Sequence, residues 1–412
     1  MQQHLGSLIA QYASQGTHRT GTEVDAASAS WLQAQLRGVA DAAGVVVEVV
    51  ADCFPMQRRS IVAGSLIVES QEGAWYAPGV PLYDCAEYTD LEGVTGTLGR
   101  SGEDCDIALV EYVNANLPDA TAGFMEARQS DRHRAVLAVY APPRGQVGGL
   151  ALMNAQHFTA SGGGIGRPTL QLHSRHLEAL RAAADSGARA RLVASAEAVE
   201  AYAVNISAEV VGSDASLAPV VVMTPRSGWW SCAVERGAGL ASFVEIFRAV
   251  AAARPKRSVL FVANTGHELG HLGNVHCWEQ RPGYVEKARL CVHLGANLGG
   301  TSSVLLQVSD AEAEATARQQ LALHGLDLSK LTLRTGAQER PVGEARELYD
   351  HGARYVSLIC SGFQEFHMEE DREVAVDMPL LMHLTQAAIG VVLTAAMEEA
   401  DLQASSQKRA RY

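Results

Sequence analysis

Ser258-Val-Leu-Phe-Val-Ala-Asn-Thr-Gly-His-Glu-Leu-Gly-His271 couples a fully apolar run to a polar, glycine-rich turn. A short apolar run bounded by turn residues reads as a strand buried on both faces. Working outward, Pro219-Val-Val-Val-Met223 repeats the pattern and ends in Thr224-Pro225, while Leu290-Cys-Val-His-Leu294 and Tyr355-Val-Ser-Leu-Ile-Cys360 are two further runs of the same kind. Between the first two runs, Leu240, Phe243, Val244, Phe247 and Val250 line one helical face, and Pro379 to Glu399 form a closing helix. Buried strands alternating with amphipathic helices predict an α/β fold, a mostly parallel sheet covered by helices on both faces. Ligands of such sheets bind at the carboxyl ends of the strands. Three polar clusters fall there: Thr224–Arg236, Gly266–His271 and Gln364–Asp371.

The amino-terminal half has another character. His18 to Asp25 reads as a polar turn, with Asp25 able to cap the helix that carries Trp31, Leu32, Gln35 and Leu36 and ends at Gly44, before a strand at Val45–Val50. From Pro55 to Tyr202, short β runs alternate with glycine- and proline-rich turns, namely Ser60–Ala63, Ser65–Val68, Asp106–Tyr112 and Arg134–Tyr140. A helix from His173 to Ser186 and a strand from Ala188 to Ala194 close this stretch. The expected division is therefore a main domain made of residues 1–54 and 203–412, interrupted by a smaller β-rich domain at 55–202. The glycine run Gly162–Gly166 lacks the spacing and the following lysine of a phosphate loop and reads as a plain loop. The basic tail Gln407–Tyr412 reads as a frayed terminus.

Bulk composition narrows the function. A chain of 412 residues with a formal net charge of -13 lacks the basic footprint of a nucleic-acid binder. No run was expected to span a bilayer, and Met1–Ala10 shows no basic segment leading into an apolar one. The seven cysteines are scattered, odd in number and free of any C-x-x-C pair, which suits reduced thiols and a cytoplasmic location.

His267-Glu-Leu-Gly-His271 is a literal H-E-x-x-H. On a helix its two histidines share a face and can bind zinc, with the glutamate as general base. The continuation to His276 resembles the longer form of that motif, but its glycine and third histidine arrive one residue early, about 100° around a helix. Three glycines between 266 and 273 also disfavour a long helix.

The order of segments along the whole chain resembles the co-catalytic di-zinc aminopeptidase family, which includes glutaminyl cyclases and the transferrin-receptor ectodomain. The segments that carry the likeness are the strand ending at Thr224-Pro-Arg226, the acidic-glycine turn Glu235-Arg-Gly-Ala-Gly239, and the strand ending in His267-Glu268. His293-Leu-Gly295, Asp350-His351 and Phe366-His367-Met-Glu-Glu-Asp371 follow in order. Residues 55–202 resemble the protease-associated domain inserted in some members, ending in Arg167–Leu172, a helix and Asn205-Ile-Ser-Ala208. The resemblance implies that Thr224 and Gly295 stand where one zinc has lost its ligands. It implies that Glu235, Glu268 and His367 survive as ligands of the other, and that His267 replaces the general-base glutamate. One divalent ion, zinc by preference, is the cofactor expected from that set.

His267 suits acid–base work because imidazole titrates near ~6.5, although it can equally serve as a ligand. Arg226 stands where a metal-lined wall is expected and is assigned with His267 to the chemistry, clamping a carboxylate or oxyanion. Trp229, Trp230, Arg236 and His271 are assigned to substrate binding. The resulting function is hydrolysis of an amide-type C–N bond in a small or short peptide-like substrate. The alternatives are a metal-free binder of a ligand or partner, a repurposed cyclase or lyase, and a true two-histidine zinc helix. A homo-oligomer built through the inserted domain is compatible with the family resemblance.

Overall fold

The computed structural model describes residues 1–70, 73–84, 86–113, 118–154 and 165–397. Most of Gly162–Gly166 and all of the basic tail fall outside the described residues. Strand β1 (Val49–Ser70) leaves the main domain. It is followed by β2 (Gly73–Pro81), β3 (Val94–Arg100), β4 (Ile107–Tyr112), β5 (Ala135–Tyr140) and β6 (Thr169–Leu172), and β7 (Arg189–Val210) returns. β1 and β7 pair antiparallel along nearly their whole length, from Val49↔Ala208 to Val68↔Ala190, with one irregularity at Ile61/Ala63. The two expected runs Ser60–Ala63 and Ser65–Val68 are thus one bulged strand, and the expected boundaries lie opposite each other at the pair Pro55↔Tyr202.

The upper part of this ribbon joins β3, β4, β5, β6 and β2 into a closed circuit of pairings, parallel from β3 to β6. Leu66, Leu98, Ile107, Leu137, Leu170 and Leu192 meet there in a separate core, capped by Leu177 and Leu180 of the helix Leu177–Asp185. The lower part of β7 pairs antiparallel with β9 (Val259–Asn264), so the ribbon is continuous with the main sheet.

In that sheet, β8 (Val220–Pro225), β9, β10 (Leu290–Leu294) and β13 (Tyr355–Cys360) are the anticipated runs, and β9–β8, β8–β10 and β10–β13 are parallel. Beyond them lie β11 (Val304–Val308), antiparallel to β13, and β12 (Leu331–Thr335), parallel to β11. Alternation explains why the runs are apolar throughout. Val220, Val222, Val259 and Phe261 face one helical layer, while Val221, Met223, Leu260 and Val262 face another. The first layer holds the helices Gln2–Ala13, Glu23–Ala43, Ala238–Ala253 and Met378–Met397, with Phe243 and Phe247 edge-on to Phe261 at 5.4 and 5.1 Å.

Two local expectations change. The second helix is capped by Thr22, whose side chain accepts from Asp25 N, and the Asp25 carboxylate is used elsewhere. The closing helix Met378–Met397 is long and apolar enough, by length and composition, to cross a bilayer, which the sequence reading overlooked. Half of that window is buried, and Leu381, Leu384, Val391 and Val392 belong to the larger core.

Between the first two helices, His18 lies buried with its ring stacked 3.7 Å above Tyr12 and its Nε2 donating to the Tyr12 carbonyl at 3.0 Å. Burial pushes its pKa down to about 3. A group neutral in the fold but protonated near ~6.5 when unfolded costs stability as pH falls from 6.5 toward 3, at about 1.4 kcal/mol per pH unit. Urea midpoints from pH 7 to pH 4 should therefore fall less steeply in His18→Phe, which keeps the stack, than in the wild type. Identical slopes would show that His18 does not feed the acid limb.

Candidate metal centre

The carboxyl ends of β8, β9 and β10 and the loop after β13 converge on one buried region. After β9 the backbone turns sharply. Gly266, Gly270 and His271 all have positive φ (79, 77 and 63°), and only a single 3-10 turn, His267–Leu269, lies between them. The H-E-x-x-H string is therefore not a helix, and a Cβ on Gly266 would meet Leu272 Cβ at 2.8 Å. Ser227, at the end of β8, holds this turn: its Oγ accepts from Gly266 N (2.8 Å) and His267 N (3.2 Å) and donates to Glu268 (2.8 Å).

Glu268 is fully buried, with its second oxygen taking the Thr20 amide at 2.7 Å. Burial raises its pKa against those bonds. The ligand role implied for Glu268 thus meets a carboxylate whose two oxygens already serve Thr20 and Ser227.

Arg226 is likewise engaged elsewhere. Its guanidinium lies 2.8 Å from Asp25 and donates to the Asp25 carbonyl (2.6 Å), to Ser28 Oγ and to the Val204 carbonyl (2.6 Å). Asp25 in turn accepts from Gly21 N and Thr265 Oγ1. This is a buried ion pair binding the second helix to the ends of β8 and β9, and the structure does not show Arg226 presented to a substrate.

The arginine that does enter the centre is Arg236. Residues Ala233–Gly237 form a π-turn instead of the first turn of the following α-helix, with Cys232 at φ 49° before it. Asp371 fastens that turn by accepting from Val234 N (2.8 Å) and Glu235 N (3.0 Å), and burial pushes its pKa up to about 7. On the widened turn the neighbouring side chains of Glu235 and Arg236 meet: Arg236 Nη2 is 2.8 Å from Glu235 Oε1, while its Nε donates to the Ser227 carbonyl at 2.8 Å. Burial would strip the guanidinium of its proton, but Glu235 and Glu344 outweigh it and hold the charge.

His367 sits in the left-handed region (φ 65°) and is fully buried. Its Nδ1 donates to the Leu152 carbonyl at 2.9 Å, and its own carbonyl accepts from Leu152 N (3.1 Å) and Trp230 Nε1 (2.9 Å). Leu152 belongs to residues 55–202, so that region directly fixes the ring. The remaining Nε2 has no hydrogen-bond partner and faces Glu235 Oε1, the oxygen paired with Arg236, at 3.7 Å. Burial lowers the pKa of His367 and keeps the nitrogen's lone pair free.

His267 completes the arrangement from the opposite side, its ring 6.4 Å from that of His367 and nearly perpendicular to it. One ligand atom each from Glu235, His267 and His367 lie within 4.8 Å of one another. The Nδ1 of His267 is 2.5 Å from Glu344 Oε1. Burial and the Arg236 charge hold the imidazole well below its usual pKa, so it is neutral and donates from Nδ1, leaving Nε2 free. Burial works to protonate Glu344, but the hydrogen bond it accepts from the His267 ring opposes that and holds its pKa down.

Glu344 also stands 3.3 Å from His293 Nε2, whose Nδ1 meets Ser357 Oγ at 2.8 Å. His271 lies beside His267, ring centroids 5.2 Å apart, and with His267 and Glu344 it forms a second group able to approach one ion. Its ring nitrogens, however, already meet Glu347 (2.8 Å) and the Arg346 guanidinium (3.3 Å), so both are engaged.

Sequence reasoning did not find Glu344. It singled out Asp350-His351 instead, but these are surface residues paired with Arg340 and Glu286. Nothing local marks Glu344 except its place between Gly343 and the short helix Ala345–Asp350.

Of the two tryptophans, Trp229 is buried, stacks on Tyr83 at 5.0 Å and donates to Asn154 at 2.7 Å. Trp230 lines an open cleft of about 270 Å³ with Thr17, Ser231, Glu369, Arg372 and Glu373.

Residues 221–390 match the model of peptidase family M28. That span runs from β8 into the closing helix and takes in Glu235, His267, Glu268, Glu344 and His367. No curated protein matches the chain.

Solved structures do match it. BSAP, a zinc aminopeptidase from Bacillus subtilis, has a TM-score of 0.75 at 18% identity, covering 97% of this chain and 96% of that one. A peptidase M28 precursor from Shewanella amazonensis SB2B has a TM-score of 0.70 at 16% identity, covering 97% and 98%. An aminopeptidase from Aneurinibacillus sp. strain AM-1 has a TM-score of 0.67 at 14% identity, covering 97% and 95%. The chain shares its fold with these aminopeptidase structures, and the likeness extends over residues 55–202 as well as the main domain.

Proposed function

We propose that the chain is a metal-dependent hydrolase of amide or peptide-type C–N bonds in a small or amino-acid-like substrate, working with one divalent ion held by Glu235, His267 and His367. The observation that carries this reading is the fully buried His367 Nε2, which has no hydrogen-bond partner and faces the Glu235 carboxylate at 3.7 Å, beside a neutral His267. Buried polar atoms left without partners are costly. A carboxylate and two imidazoles, each imidazole fixed at Nδ1 by an oxygen acceptor, form a donor set that suits zinc. Formal charge agrees: among the described residues, the buried carboxylates Glu235 and Glu344 face one guanidinium, Arg236.

When bound, such an ion activates water and polarises a carbonyl. The chain's own groups do the rest. Glu344 keeps the His267 proton on Nδ1, Leu152 does the same for His367, and Ser227 with Glu268 holds the turn that carries His267. In this reading His267 acts as a ligand, and Glu268 supports the turn. A cytoplasmic location belongs to the same proposal and is supported by the six described cysteines being free.

The runner-up is a metal-free descendant that binds a ligand, favoured by one observation: Arg236 already neutralises Glu235. Elemental analysis of protein purified without added ions separates the two. About one equivalent of zinc, manganese or iron is expected in the wild type, with loss from His367→Ala and retention in His271→Ala. Absence of all three metals, together with chelator-insensitive activity, would sink the metal reading.

A further inference from the structure

The centre described above contains one fixed cation, and its placement is unusual. Arg236 is fully buried, its Nη2 makes no hydrogen bond, and that atom nevertheless lies 2.8 Å from the same Glu235 oxygen that faces His367. Both residues sit on the π-turn Ala233–Gly237, where the Arg236 side chain folds back onto that of its neighbour Glu235. The Ser227 carbonyl, accepting from Nε at 2.8 Å, anchors the guanidinium from behind.

Across the site, the end of β10 is tightly packed and carries no side chain that could serve as a further ligand at position 295. A Cβ on Gly295 would come within 2.5 Å of Ile359 Cγ1 and 3.0 Å of His293 Cε1. Thr224 is also spent, donating to the Leu294 carbonyl at 2.9 Å. The sequence resemblance assigned these two positions to a second ion; neither now offers a ligand atom, and a side chain added at 295 would have to displace Ile359.

We propose that Arg236 is a built-in cation that takes the place of a second metal ion beside Glu235, so that the centre combines one divalent ion with one guanidinium. Arg236 then shares with the bound ion the Glu235 oxygen that faces His367 and presents a fixed positive charge where negative charge develops during hydrolysis. This rests on the single-ion reading above and extends it.

A guanidinium this close to a ligand oxygen repels the ion, so removing its charge should tighten metal binding, whereas loss of a purely structural arginine would weaken it or leave it unchanged. Metal-stripped wild type, Arg236→Met and Arg236→Lys are titrated with zinc by calorimetry, with circular dichroism confirming the fold. Arg236→Gln, which retains a donor for the Ser227 carbonyl, replaces the methionine variant if that fails to fold. The expected results are one zinc per wild-type chain, binding at least about tenfold tighter in Arg236→Met, and binding within about threefold of wild type in Arg236→Lys.

Two zinc ions in the wild type, or a folded Arg236→Met or Arg236→Gln that binds zinc no tighter, overturns the proposal. If the wild type binds no zinc but the charge-removing variant does, the single-ion reading fails and Arg236 remains the substitute cation. If neither binds, both fall.

Discussion

Arg226→Leu is expected to lose about 3–5 kcal/mol of folding stability while leaving metal content untouched. The magnitude follows from what is left behind. Removing one partner of a buried ion pair strands the other charge away from water, and Asp25 would keep only Gly21 N and Thr265 Oγ1 as hydrogen-bond donors. The carbonyls of Asp25 and Val204 and the hydroxyl of Ser28 would lose a donor at the same time. Chemical denaturation at pH 7 measures the stability, and elemental analysis measures the metal. A folded Arg226→Leu with near-wild-type stability but depleted metal would return Arg226 to the site that the sequence assigned it. The double variant with Asp25→Leu adds a sharper check. If the pair is structural, removing both charges should cost less than removing the arginine alone.

The contrast between Arg226 and Arg236 shows where reading the chain reaches its limit. Both arginines flank the expected site in sequence, and the need for a substitute positive charge was visible from the missing ligand positions. Which of them meets Glu235 depends on the π-turn at Ala233–Gly237, which no residue pattern announces. The central strands were legible because each packs against apolar layers on both faces, so identity and burial coincide along β8 and β9. The long ribbon of β1 and β7 was not. Its middle, with Gln57, Ser60, Glu197 and Glu200, is polar and largely solvent-facing, and is held in register by its partner strand. The first helix was present as Leu5, Leu8, Ile9 and Tyr12 at helical spacing, all buried, but those residues were read only as the absence of a leader. Within the centre, Glu235, His267, His367 and Asp371 follow from position along the chain, whereas Glu344 acts across a loop distant in sequence and carries no local signature.

Glu344→Gln is expected to weaken zinc binding about 10–100-fold, the usual cost of removing a carboxylate that orients a ligand histidine. Glutamine preserves the volume at a fully packed position but presents one oxygen and an amide donor where the carboxylate faced two imidazoles, His267 at 2.5 Å and His293 at 3.3 Å. The Nδ1–H of His267 can then lose its fixed acceptor, and part of the population shifts to the tautomer that carries its proton on Nε2, the nitrogen required for the ion. Competition against a chromophoric chelator gives the affinity. The pH dependence supplies a second readout. Because the wild-type carboxylate is held well below its ordinary pKa and His267 well below its own, neither should release a proton when zinc binds at pH 6 to 8. In Glu344→Gln the anion is gone but Arg236 and burial remain, so His267 should stay neutral and the loss in affinity should be uniform across that range. An affinity loss confined to the acid side would instead mean that Glu344 acts by setting the charge of His267. Glu344→Gln binding zinc as tightly as wild type would remove it from the centre altogether.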